Sequence, residues 1–314
     1  MATEVIKTVK SSGGDYTSLS AWEAGQQGDL PTLDEIHTAE CYDIDDTTTV
    51  TVAGWTTDAT RYIRIYAHST ARHAGVWDDT KYNLAVAGHC ITVSEAYIRI
   101  DGLQLSCNPT TGGRSGILID LVGTATYSAT NQRISNCIIR YAGSSTNSCW
   151  GISMPSDAAV ANAVVDIWNN IIYDFTPSTA SVGILLSEAD VTCNAYNNTV
   201  YGCDYNYRQT AGTFIAKNCG SAAHVTAGFD GTITQTTCSS TTPTFANEGA
   251  RDLRLGSTDV TWHDQGTDNP GSGLFLDDIA AQTRVSVWDI GAYEYIVVGG
   301  TSRAGTLSLL GIGI

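Results

Sequence analysis

Carboxylates, one arginine and one histidine are the side chains of this chain whose spacing could do chemistry. Glu188 and Asp190 stand two apart after the phrase VGILL, so on an extended segment both point to the same side, and Arg208 follows one repeat later. Acid–base cleavage of a glycosidic bond needs two carboxyl groups facing each other across that bond, about 5–10 Å apart. The adjacent pairs at 45–46, 78–79 and 277–278 meet that need poorly, because neighbours along a strand point to opposite faces. A second set lies in the polar stretch HSTARHAGVWDDTKY (68–82), with Arg72, His73, Trp77, Asp78 and Asp79. It fits either a surface loop whose Trp packs on the protein or a site where His73 and Asp78 converge. No P-loop, dinucleotide fingerprint, HExxH or GxSxG occurs, and no cofactor or metal is expected. Asn197-Asn198-Thr199 spells a glycosylation acceptor, expected to be a chance match in an Asn-rich chain.

The elements that would position these groups repeat. YIRIDGLQLSCN (97–108), QRISNCIIRYAG (132–143), VVDIWNNIIYDF (164–175), CNAYNNTVYGC (193–203) and TFIAKNCGSAAHV (213–225) share one grammar of alternating apolar residues, a turn, and a second apolar pair. The turn positions Gly102, Asn136, Asn170, Asn198 and Asn218 are separated by 34, 34, 28 and 20 residues. A second phrase, glycine then apolar residues, falls between them: SGILI (115–119), WGISM (150–154) and VGILL (182–186). Short strands at this period, with no helical pattern, are the signature of a solenoid whose turns cover one another. Asparagine suits the corner because it tolerates left-handed backbone angles, and its amide can bond the same amide one turn away. Asn136, Asn170, Asn198 and Asn218 are therefore expected to form a structural ladder.

This pattern resembles the right-handed parallel β-helix superfamily, the architecture of pectate-lyase-like enzymes and of many phage spikes. The resemblance implies an all-β fold with a short N-terminal capping helix, and it covers most of residues 12–295. Residues 1–30 are expected to be the N-terminal cap, 31–240 the β-helix, and 241–295 the last turns and a C-terminal cap. In GGDYTSLSAWEAGQQGDL, Ser20 and Glu23 have capping-box spacing, and Leu19 and Trp22 share an apolar side. Trp22 is expected in the lid rather than on a sugar platform. Residues 85–235 should give about seven turns of roughly 20 residues. DLRLGSTDVTWHDQG (252–266) and RVSVWDIGAYEY (284–295) are similar to the ends of many such proteins, with Trp288, Ile290 and Tyr293 expected to close the last turn.

The superfamily's catalytic phrases are missing. No N-T-D occurs, His89 in AGHC lacks the second glycine of G-H-G, and no R-x-P-x-x-R is found. Glu188, Asp190 and Arg208 remain the catalytic alternative to a non-enzymatic protein.

Composition narrows the function classes. Sixteen basic against 32 acidic residues leave a net charge of −16, which repels phosphate backbones and anionic membranes and disfavours a polyanionic sugar. The 42% hydrophobic content argues against disorder. Nine cysteines form no CxxC pair or zinc spacing; Cys137 and Cys219 follow the turn Asn and should point inward as small core thiols. Disulfides or metal ligation are the alternative, with Cys193 and Cys203 the first pair to check. The start MATEVIKTVKSSGGDYTS lacks an apolar signal region, so synthesis in a cytoplasm is expected. In the tail, residues 296–314, Leu307, Leu309, Leu310, Ile312 and Ile314 are mostly two apart, an alternation suited to adding a strand to a neighbour rather than folding back on the coil.

Together these features lead to a non-enzymatic virion protein of a tailed phage, exposed on the particle as capsid decoration or as tail spike or fibre. Its expected partners are other virion proteins through the tail, further copies of itself as in a trimer, and a host glycan. The alternatives are a polysaccharide lyase or hydrolase and an extracellular adhesin or filament subunit.

Overall fold

Strands of two to seven residues cannot stand alone, and here each strand of the coil pairs with the turn before it, the turn after it, or both. The structure, a computed structural model, describes residues 2–120, 131–155, 162–285 and 287–296. Three parallel sheets of nine, seven and seven strands run the length of a coil. The chain visits sheet 1, sheet 2 and sheet 3 in that order in every turn. The first full turn is Glu35–Cys41, Asp45–Asp46 and Val50–Val52; the seventh is Thr213–Lys217, Gly220–Ala222 and Ala227–Asp230. This is the parallel β-helix that the repeat implied, and its three-sheet winding fits the right-handed form.

Register holds the core together. In sheet 1, Ile65, Ile100, Ile134, Ile167, Ala195 and Ala216 stack in one inward column. In sheet 2 the column is Leu84, Leu105, Ile139, Ile172 and Val200. Sheet 3 contributes Val50, Ile91, Ile117, Ile152, Ile184, Tyr207 and Phe229. A one-residue slip would send each apolar column to solvent, so the alternation itself fixes the pairing. The phrase that recurred as glycine-then-apolar has a packing cause. A methyl group on Gly116, Gly151 or Gly183 would lie 2.3–2.4 Å from Ile139, Ile172 or Val200 across the coil. Glycine there lets sheets 2 and 3 close on each other.

The seven turns occupy residues 35–230 rather than 85–235, because loops leaving the early turns lengthen them. Residues 1–30 are not all cap: Thr3–Val9 is the first strand of sheet 1, paired with Glu35–Cys41. The lid proper is the helix Leu19–Gln26. Its N-cap is Ser18, whose side chain accepts from the Ala21 N–H, and not Ser20. Glu23 does not complete a capping box; it is buried and accepts from the Ala53 N–H and the Trp55 indole. Trp22 is fully buried and stacks on Trp55 at 5.7 Å between ring centroids, which leaves no sugar platform.

The C-terminal part corrects the expectation of an end cap. After Thr234–Thr236 the chain turns back and lies along the outer face of sheet 2. Phe245, Leu253, Leu255, Trp262, Ile279 and Ile290 form a second core there with Ile138, Ile171, Tyr173 and Tyr201 of the coil. Trp288, expected to close the last turn, instead packs with Trp168 and Phe275. The reason is the outer face itself: isoleucine and tyrosine point outward from sheet 2, and burying them stabilises the fold by about 25 cal/mol per Å². The tail residues Leu307, Leu309, Leu310, Ile312 and Ile314 lie outside the described residues.

Candidate functional site

The corner between sheets 1 and 2 carries the asparagines, and the structure divides them between two columns. Gly102, Asn136, Asn169, Asn197 and Asn218 occupy the left-handed position, with φ between +48° and +72°. One residue later comes an inward column of Leu103, Cys137, Asn170, Asn198 and Cys219, each buried. Asn136 and Asn218 thus belong to the outer column, Asn170 and Asn198 to the inner. In the inner column the Asn198 Oδ1 accepts from the Asn170 N–H and from Asn170 Nδ2, both at 3.0 Å, and Asn170 Oδ1 accepts from the Cys137 N–H at 2.8 Å. The Asn-Asn doublets at 169–170 and 197–198 are where both columns hold asparagine, which is why spacing alone mixed them.

The outer column is the seam to which the C-terminal segment binds. Asn197 Nδ2 donates to the Asp289 and Gly291 carbonyls, and Asn218 Nδ2 to the Thr267 carbonyl. At Asn169, Nδ2 donates to the Asp277 carbonyl while Oδ1 accepts from Arg284 Nη2. Arg284 is buried, and its Nη1 pairs with Glu294 at 3.0 Å. Burial works against charge on both, pushing Arg284 down and Glu294 up, and the Coulomb attraction between them opposes it.

None of the acid pairs is arranged for cleavage. Asp46 caps the lid helix at the Leu19 N–H, Asp78 accepts from Thr80, Asp79 from the Trp77 indole, and Asp278 from the Ala280 and Gln282 N–H groups. Arg208 lies in sheet 3 opposite Leu185, paired with Asp230 at 3.0 Å and stacked over Tyr205. Glu188 and exposed Asp190 sit in the loop after Val182–Leu186, where Glu188 accepts from the Ala189 N–H. His73 and Asp78 do not converge either. His73 is buried with Nδ1 accepting from the Gly75 N–H; burial first, and then the charge of Arg72, hold its pKa down to about 3. Asp78 turns the other way, held below the usual carboxylate range by its bonds to Thr80.

The loop does build a cleft. Val76, Trp77, Asp78, Asp79, Thr80 and Arg254 line an open cleft of about 500 Å³. Trp77 is fixed by its bond to Asp79 and by the Arg140 guanidinium 3.6 Å from its ring centre, and Arg254 is forked onto Asp252. Its polar groups are already paired, so it can hold a polar ligand against an indole but presents no free acid–base couple. His263, Asp264 and Asp289 bring potential metal-ligating atoms within 4.8 Å of one another. Both Asp289 oxygens there accept backbone N–H groups, from Asp264 and Tyr295, so the carboxylate acts as a clamp between two turns. Arg254, His263, Asp264 and Asp289 all fall inside the phrases DLRLGSTDVTWHDQG and RVSVWDIGAYEY, which sequence reading took for an end cap and not for site residues. Among the described residues, no helix is long and apolar enough to cross a membrane.

Comparison with known proteins returned no matching family model and no matching curated protein. Among solved structures, the crystal structure of pectate lyase Pel9A aligns with 94% of this chain and 97% of its own, at 13% identity and a TM-score of 0.34. The fold assignment rests on the strand pairings above, not on this alignment.

Proposed function

We propose that the chain is a non-enzymatic structural protein of a tailed-phage particle, a β-helix carried on the particle surface as head decoration or as tail spike or fibre. The observation that carries this reading is that its candidate reactive side chains already hold structural partners: Arg208 pairs with Asp230, and Glu188 accepts from the Ala189 N–H. The rest of the design favours endurance: a buried lid at one end and a flank sheathed by the chain's own C-terminal segment. The two ends differ. Among the described residues, Thr234–Thr236 is exposed and pairs on one side only, so the last turn offers an edge. The tail, residues 296–314, with Leu307, Leu309, Leu310, Ile312 and Ile314, would dock onto another virion protein or a further copy, as in a trimer. The Trp77 cleft is where a host glycan would rest.

The alternative reading, cleavage of a surface polysaccharide, would rest on Glu188, Asp190 and Arg208 and not on the cleft, which presents no free acid–base couple. The two separate in a depolymerisation assay on bacterial capsular and pectic polysaccharides. The structural reading expects no release of reducing ends above the heat-denatured control. Sustained turnover that disappears in Glu188→Gln would replace it with the enzymatic one.

A further inference from the structure

The inner corner column does not stop at Cys219. Each residue of that column accepts, at its carbonyl, the N–H of the residue that follows the column one turn on: Leu103 from Ile138, Cys137 from Ile171, Asn170 from Thr199, Asn198 from Gly220. Cys219 continues the series by accepting from the Ser239 N–H at 3.1 Å, and Gly220 bridges Ser239 in parallel. Cys238 therefore stands directly over Cys219, one turn on, with both side chains in the same column. Eight of the nine cysteines are buried, and Cys238 is the one that solvent reaches.

We propose that Cys219 and Cys238 are a disulfide-forming pair that staples the last turn of the coil, closed by exchange with an external disulfide once the chain leaves a reducing compartment. In-register strands lie about 4.8 Å apart, inside the roughly 4.4–6.8 Å window of Cα separations that a disulfide spans. The closer Cβ approach that the bond also requires is accessible here because, among the described residues, Thr234–Thr236 has no strand beyond it to hold it in place. The same two thiols in the middle of the coil would be fixed by neighbours on both sides.

The order of events follows from access. The Cys238 thiolate attacks one sulfur of the external disulfide, forming a mixed disulfide and releasing the first small thiol. Cys219 then loses its proton and attacks the Cys238 sulfur, releasing the second. One external disulfide is reduced to two thiols as the two cysteines are oxidised to one bond. The hydrogen bond from Cys219 holds the Cys238 thiol below its usual range, while burial pushes Cys219 well above it, in keeping with Cys238 as the attacking group. Cys193 and Cys203 are not an equivalent pair: Cys193 lies on sheet 1, whereas Cys203 follows the sheet 2 strand of that turn.

The test incubates the folded chain with oxidised glutathione, then unfolds it, alkylates it and maps it by mass spectrometry. Cleavage before Asp230 separates the two cysteines, so a surviving link between the fragments identifies the bond. The expected result is alkylation of seven cysteines, two fewer than the nine free thiols, with the link joining Cys219 to Cys238. Cys219→Ser should stop at a glutathione adduct on Cys238, and Cys238→Ser should form neither product. Alkylation of all nine, a persistent adduct on Cys238 in the unmodified chain, or a first link at another pair would overturn the proposal. Because the unmodified chain alone yields the link, failure of either variant to fold leaves the test intact.

Discussion

At the scale of single residues, asparagine does two different jobs one position apart. The outer asparagines adopt the left-handed corner conformation, and glycine can take the same angles, as Gly102 does. The inner asparagines satisfy buried backbone donors that nothing else reaches. Asn198→Ala should therefore cost about 3 kcal/mol, since it strands the Asn170 donors in the core. Asn136→Gly keeps the corner angles and loses the bond from its Nδ2 to Asp101 and the one its Oδ1 accepts from Asn169, whose Nδ2 still reaches the Asp277 carbonyl, at about 1 kcal/mol. Denaturant unfolding of the two variants checks the ranking; equal losses would contradict it. His73 gives a pH signature. Its folded pKa of about 3 lies below the unfolded value of about 6.5, so the unfolded chain binds the extra proton between those values. Stability is fully present above pH 6.5 and falls as pH drops through that window, by about 2 kcal/mol between pH 6.5 and 5. Unfolding at both pH values should show that loss shrinking in His73→Gln.

At the scale of elements, the coil was legible from its grammar and the C-terminal segment was not. Alternation and recurring corners mark the strands of sheets 1 and 2 between residues 97 and 225, and SGILI, WGISM and VGILL mark three of sheet 3; Thr3–Val9 and Asp45–Asp46 carry no such mark. The segment after residue 240 has no such period, because its partner is a finished surface rather than another turn. Only its contacts explain it: Gly220 has no side chain because Trp262 packs onto it, with a methyl there lying 2.3 Å from the ring. Its anchor is Arg284, which ties the segment to Asn169 of the coil and to its own Glu294. Arg284→Met should destabilise the docked segment by about 3–5 kcal/mol, because Glu294 is left buried without its partner. Limited proteolysis should then cut between residues 240 and 296 while the coil stays whole. Protection equal to the unaltered chain would show that the ion pair does not hold the segment. The site was less legible than the fold: the pairing of Arg208 with Asp230 depends on the next turn, whose register no local spacing reveals.

At the scale of the whole molecule, nine strands of sheet 1 at about 4.8 Å spacing make a rod of roughly 40 Å. Its first turn is closed by a helix, one flank is sheathed, and its last turn ends in an exposed edge. An asymmetric rod of this kind has one end suited to joining something else, and the apolar residues 307–314 follow in the same chain. Removing residues 297–314 should leave the melting temperature of the coil unchanged and abolish its incorporation into particles. Loss of folding on truncation would instead assign the tail to the coil itself. The account's central claim is that this coil is a building block of a particle, and the most direct test is to count it there. Quantitative mass spectrometry of gradient-purified particles from a host carrying the coding sequence should find it at a fixed ratio to the major shell protein. Hundreds of copies would place it on the head, and a few to a few dozen on the tail or a vertex. Its absence from purified particles would contradict the account.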